Sequence, residues 1–123
     1  MSNSFSSLCS DFYVNQKVAF CVDLPKVNEA ASDLFDRIRK EIPEFNRIQP
    51  FDNELTMETS EVDGRYQWVG LRPRSIGSGS VNPVQIEDAY QLHRLLLELM
   101  PYYLSVTTLN IEFIELVFGF DLP

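Results

Sequence analysis

Residues 54 to 72 run ELTMETSEVDGRYQWVGLR, two stretches of strand-forming residues on either side of Asp63-Gly64. Asp-Gly is favoured in two-residue type I′ turns, where both central residues take positive φ, so the segment predicts a β-hairpin. A two-residue turn also predicts a register in which Val62 faces Arg65, Glu61 faces Tyr66, Thr59 faces Trp68 and Met57 faces Gly70. One face of the hairpin then carries Leu55, Met57, Thr59, Tyr66 and Trp68, the expected core side. The other carries Glu54, Thr56, Glu58, Ser60, Arg65 and Gln67, together with Val62, Val69 and Leu71.

Upstream, Phe12, Val14, Val18, Phe20, Val22 and Leu24 alternate with mostly polar residues, and only Gln16 interrupts the apolar series. A period of two predicts a half-buried strand. After Pro25, the residues Val27, Ala30, Ala31, Leu34, Ile38 and Ile42 recur at helical spacing and Pro43 closes the segment, which predicts an amphipathic helix. Phe45 to Phe51 reads as a short strand that Pro50 confines to an edge.

Downstream, Pro73 to Pro83 reads as a Gly/Ser loop. Asn82 is the expected N-cap of a second helix, with Pro83 at its first position and Gln85 as capping partner, and Pro101 ends that helix after Met100. Its stripe of Ile86, Ala89, Tyr90, His93, Leu96, Leu97 and Met100 is broadened by Leu92, Leu95 and Leu99. In the last strand-like segment the apolar phase switches from odd (Leu109, Ile111, Phe113) to even (Ile114, Leu116, Phe118, Phe120), which predicts a bulge near Phe113 and Ile114 or cover on both faces.

The element order is β-α-β-β-β-α-β. Setting the Pro50 strand aside leaves βαββαβ, so the expected fold is α+β: a ferredoxin-like sandwich, an antiparallel sheet with two helices on one face and a possible extra edge strand. Residues 1–10 are expected as a flexible N-terminal segment, and 11–123 as one domain.

The 123 residues include 10 Lys and Arg against 18 Asp and Glu, a net charge of −8. That balance argues against nucleic acid and against anionic membrane surfaces, which both require clustered cations. The Ser-rich start lacks the basic and apolar regions of a signal peptide, and no apolar run is long enough for a transmembrane helix, so the expected location is cytoplasmic. Two cysteines, Cys9 and Cys21, and a single histidine match no metal spacing and no disulfide framework, so neither a metal nor a cofactor is expected.

Local chemistry is sparse. Glu112 and Glu115, like Glu58 and Glu61, are three apart and fall on opposite strand faces, unsuited to paired acid–base work. His93 has no nucleophile motif beside it and reads as a structural histidine of an apolar stripe. An acid–base pair with Glu112 is the weakest of the readings, and no catalytic residue is assigned. Arg72 and Arg74, followed by Ser78 and Ser80 in the Gly/Ser segment, form a candidate anion site resting on backbone N–H groups. A ligand pocket near His93 is the companion alternative. The spacing matches no phosphate-loop pattern, and a plain connector explains it as well.

The leading expectation is an interaction surface. An antiparallel sheet with helices on one side leaves its other face open, and Leu109, Ile111, Phe113 and Val117, with Val69 and Leu71 from the hairpin, would make that face apolar. The expected role is therefore a non-enzymatic interaction or regulatory module, forming a homodimer or packing on an additional domain.

The run Leu92-His93-Arg94-Leu95-Leu96-Leu97-Glu98-Leu99-Met100-Pro101-Tyr102-Tyr103-Leu104 and the strand ending Val117-Phe118-Gly119-Phe120-Asp121 resemble part of a sporadically distributed family of uncharacterised bacterial proteins. The resemblance covers about the last quarter of the chain by residue type. It implies a longer protein of which this chain is the first domain, and it supplies no catalytic residues.

Overall fold

The computed structural model describes residues 11–24, 28–51 and 54–121. The expected lead-in of residues 1–10, with Cys9, and the expected helix start at Pro25 and Val27 lie outside the described residues. The elements are β1 (Asp11–Phe20), α1 (Asn28–Glu41), β2 (Phe45–Phe51), β3 (Glu54–Thr59), β4 (Tyr66–Arg72), β5 (Ser75–Val81), α2 (Ile86–Tyr103) and β6 (Ile111–Asp121). The six strands form one sheet in the order β2-β3-β4-β5-β1-β6, and each neighbouring pair is antiparallel. The fold is thus α+β, with β2 at one edge as its Pro50 implied and the first and last strands paired. It holds two strands more than the four of the expected ferredoxin-like pattern: β2 itself, and β5 from the segment read as a loop.

A main core shared by both helices explains why they lie on the same side. Leu34, Phe35 and Ile38 of α1 and Leu92, Leu96 and Met100 of α2 pack with Val18, Met57, Val69, Leu71 and Ile76 of the sheet. Replacing any of the large ones with alanine should cost about 2–5 kcal/mol, the usual range for a buried large-to-small change.

The hairpin departs from its expected register by one residue. Val62 does bridge Arg65, and Asp63 (φ 53) and Gly64 (φ 75) take the positive φ of a type I′ turn. Further from the turn, however, Met57 pairs with Val69, Leu55 with Leu71 and Glu58 with Trp68. Between these two registers the Thr59 hydroxyl, rather than a backbone carbonyl, accepts the Gln67 N–H at 2.9 Å. A one-residue slip exchanges the faces of a strand. Val69 and Leu71 therefore enter the core, and Trp68 turns to the open face.

That exchange accounts for the glycines of β5. Ile76, Ser78 and Ser80 face the core, whereas Gly77 and Gly79 lie on the open face under the Trp68 ring. A methyl at Gly77 would come 3.2 Å from two ring carbons, and one at Gly79 would overlap Trp68 Nε1 and Asn15 Oδ1. Gly119 of β6 is crossed in the same way by Tyr13, its cross-strand partner.

Asn82 is a strand latch rather than a helix cap. At φ 51 its side chain accepts the Phe12 N–H (2.8 Å) and donates to Asp11 and to the Gly64 carbonyl (both 2.9 Å). Gln85, without a side-chain cap, precedes α2, and the helix runs through Pro101 to Tyr103.

Candidate functional site

The candidate site is β6, which ends the strand order opposite β2 and pairs with β1 alone among the described strands. Ile111 pairs with Phe20, but Phe113 pairs with Ala19, so Glu112 is an extra residue in the ladder. This bulge lies beside the expected position and explains the phase switch. Ile111 points to the core side, and after the inserted residue Ile114, Leu116, Phe118 and Phe120 continue on that same side, opposite Val18, Gln16, Val14 and Phe12. Their β1 partners are buried, yet these four residues are about half exposed, from 47% for Leu116 and Phe118 to 51% for Ile114. The helix layer stops short of the last strand. Tyr90 of α2 reaches out to it, meeting the Phe118 ring edge-on at 6.4 Å between centroids.

The other side of β6 carries Phe113 and Val117, exposed at 43% and 38%, with Glu115 between them. Lys17 of β1 lies opposite Glu115 and places its ammonium 5.9 Å from the Phe113 ring centre. Beyond β6, Lys17, Asn15, Glu54 and Arg72 rim a shallow hollow of about 130 Å³ beside Trp68. Asn15 Oδ1 is buried without a hydrogen-bond partner among the described residues.

The expected apolar patch across the open face does not assemble. Of its six members, Phe113 and Val117 lie there. Ile111 packs against the core, Leu109 projects from the short 3-10 turn before β6, and Val69 and Leu71 are buried through the register slip.

The expected anion site is likewise dispersed. Ser78 and Ser80 are buried under α2, where Ser78 Oγ meets His93 Nδ1 at 2.7 Å and Ser80 Oγ accepts from Gln67 at 2.9 Å. Arg72 and Arg74 stand in solvent, paired with Glu54 (3.3 Å) and Asp23 (3.2 Å). Ser78 and Ser80 take the core side of β5, whereas Arg72 is paired with Ser75 on the open side and Arg74 precedes the strand, so the serines and the arginines do not share one cradle.

A buried polar seam was not legible in the sequence as a unit. His93 is buried between β1 and β5, with Ser78 on Nδ1, while the Gln16 amide donates to the His93 carbonyl at 3.3 Å. The signal was the pair of polar residues that broke otherwise apolar faces, Gln16 in β1 and His93 in α2. Burial pushes the imidazole below its ordinary 6.5, and the nearby Val14 backbone opposes this more weakly. No group among the described residues meets hydrogen-bond geometry at Nε2. The neutral ring accepts at Nδ1 or donates there, according to its tautomer. With Ser78 fully buried, the pair offers no nucleophile to a substrate, and its evident work is to satisfy polar groups beneath α2. Glu112, proposed as a catalytic companion, is exposed on the β6 bulge.

Among the described residues, no group of three or more His, Cys, Asp or Glu side chains gathers as a metal site, and no helix is long and apolar enough to cross a membrane. Comparison of the chain with protein-family models and with curated proteins returned no match.

Proposed function

We propose that this chain is a non-enzymatic interaction module that joins a larger assembly through β6. One observation carries the reading: six apolar residues of a single edge strand, Phe113, Ile114, Leu116, Val117, Phe118 and Phe120, are each between 38% and 51% exposed. Scattered apolar residues on a surface need no explanation, but a half-exposed apolar row along the helix side of an edge strand, with two more apolar residues on its other side, is the mark of a contact surface.

The two edges of the sheet reinforce this. Edge strands ordinarily carry devices against unwanted pairing, such as proline, bulges and outward cations. The β2 edge has all three: Pro50, a register shift between Phe45 and Arg47, and Arg47 itself. Over 113–121, β6 has no proline and no cation, and its bulge lies at the near end, leaving a regular edge. The working compartment in this reading is the cytoplasm, where the exposed thiol of Cys21 stays reduced.

Leu116→Lys/Phe118→Lys tests the role. Sized in an extract of the cell to which the chain is native, the parent should migrate well above its 14.2 kDa, and the double variant should return to that mass with its circular dichroism unchanged. Equal migration of the two proteins would defeat the reading.

A further inference from the structure

We infer that the occupant of the β6 edge is a second copy of this chain, paired antiparallel with the first about a two-fold axis at Val117. The inference rests on the interaction reading above and adds partner, direction and register.

Direction follows from backbone hydrogen bonding. The Phe20 N–H donates to the Arg74 carbonyl, and the Phe12 carbonyl accepts from Asn82, so the even residues of β1 bond towards β5 and the odd ones towards β6. Their β6 partners are Phe113, Glu115, Val117 and Gly119. The N–H and C=O groups of Ile114, Leu116 and Phe118 consequently point outward, a row able to receive another strand. In a two-fold antiparallel pair the same row is offered by both copies, which is the self-complementarity that an isologous interface requires.

Charge selects the register. A two-fold axis at Glu115 sets that carboxylate against its own copy, and one at Phe118 sets Glu115 against Asp121. At Leu116 the axis places Glu112 opposite Phe120. At Val117 it places Ile114 opposite Phe120 and Leu116 opposite Phe118, with Glu115 opposite Gly119. Of these four registers, that one alone makes every helix-side pair apolar while keeping the carboxylates apart, and it pairs more of the strand than an axis nearer its end. Like charges directly opposite destabilise a strand pair, and apolar and aromatic pairs stabilise it.

The area is sufficient. Aromatic side chains present about 150–250 Å² each, and the aliphatic ones lie toward the lower end of that range. Six such side chains at 38–51% exposure offer up to about 500 Å² per copy and about 1,000 Å² per pair, the order of a specific interface, before Tyr90 and the strand backbone are added.

In this register Val117 faces its own copy in a non-hydrogen-bonded pair, with Cα atoms about 4.5 Å apart, within disulfide reach. The test uses the full chain with Cys9→Ser and Cys21→Ser, carrying either Val117→Cys or Glu115→Cys, each checked for parent-like circular dichroism and oxidised mildly at micromolar concentration. The Val117→Cys chain should form a disulfide dimer about tenfold or more faster than Glu115→Cys, because pairing holds its thiols at a millimolar effective concentration. Equal rates at the two positions overturn the inference, as does a parent chain that sediments as a monomer throughout. A chain that is monomeric alone but large in extract, and that loses this size in Leu116→Lys/Phe118→Lys, overturns self-pairing while leaving the interaction reading intact.

Discussion

Gly79→Ala should be destabilising and Gly77→Ala nearly neutral, although the two glycines sit on the same face of the same strand under the same ring. At Gly77 an added methyl meets Trp68 ring carbons at 3.2 Å, a contact that a few tenths of an ångström of movement relieves. At Gly79 the methyl overlaps Trp68 Nε1 on one side and Asn15 Oδ1 on the other, so the ring must leave its seat. Unseating it returns about 50–100 Å² of apolar surface to water, about 1–2.5 kcal/mol at the usual transfer coefficient. Against this stands about 0.5–1 kcal/mol gained by replacing glycine with alanine inside a strand. The net expectation is a loss of about 1 kcal/mol, and at most about 2, for Gly79→Ala and a change within about 0.5 kcal/mol for Gly77→Ala. Urea unfolding followed by tryptophan emission measures both quantities, since Trp68 is the only tryptophan in the chain. The native emission of Gly79→Ala should shift to the red, and that of Gly77→Ala should stay in place. Equal stabilities, or an unshifted emission in Gly79→Ala, would refute the placement of Trp68 and with it the register of β4.

Two further outcomes follow from the buried polar groups. His93 is held below its ordinary 6.5 by burial. The unfolded chain therefore binds a proton that the folded chain refuses as pH falls below 6.5, and stability declines until the folded value is reached. The slope is at most about 1.4 kcal/mol per pH unit. Unfolding measured between pH 7 and 5 should show a steeper loss in the parent than in Ser78→Ala/His93→Leu, and parallel curves would remove the buried neutral histidine. At the strand latch, Asn82→Gly should cost about 1–2 kcal/mol through its lost hydrogen bonds. Asn82→Ala should cost about 1 kcal/mol more, because φ 51 strains any residue with a Cβ. Thermal unfolding distinguishes the two, and equal midpoints would contradict the strain argument.

The elements with strong periodicity were legible in the sequence. Alternation placed β1, helical spacing placed α1 and α2, Pro50 put β2 at an edge, and the phase switch marked the bulge in β6. The hairpin was legible as an object but not in its register. Asp63-Gly64 governs the Val62–Arg65 bridge, whereas the slip beyond it depends on the Thr59 hydroxyl replacing a ladder bond. That local substitution moved Val69 and Leu71 from an imagined surface into the core. β5 was hidden because SIGSGSV has almost no apolar alternation; its glycines make sense only once Trp68 is known to lie across them. Reading that segment as a loop also produced the dispersed anion site and the wrong role for Asn82. In the candidate site, the apolar residues of β6 were visible as residues. Their exposure was not, because it depends on how far the helix layer extends across a six-stranded sheet.

Sedimentation velocity of the parent chain and of Leu116→Lys/Phe118→Lys, run side by side from low to high micromolar concentration, tests the role of β6 most directly. The parent should move from monomer to dimer with rising concentration, and the double variant should remain a monomer of unchanged circular dichroism. A parent that remains monomeric across the range, or a variant that dimerises as the parent does, would contradict self-pairing of this chain through β6.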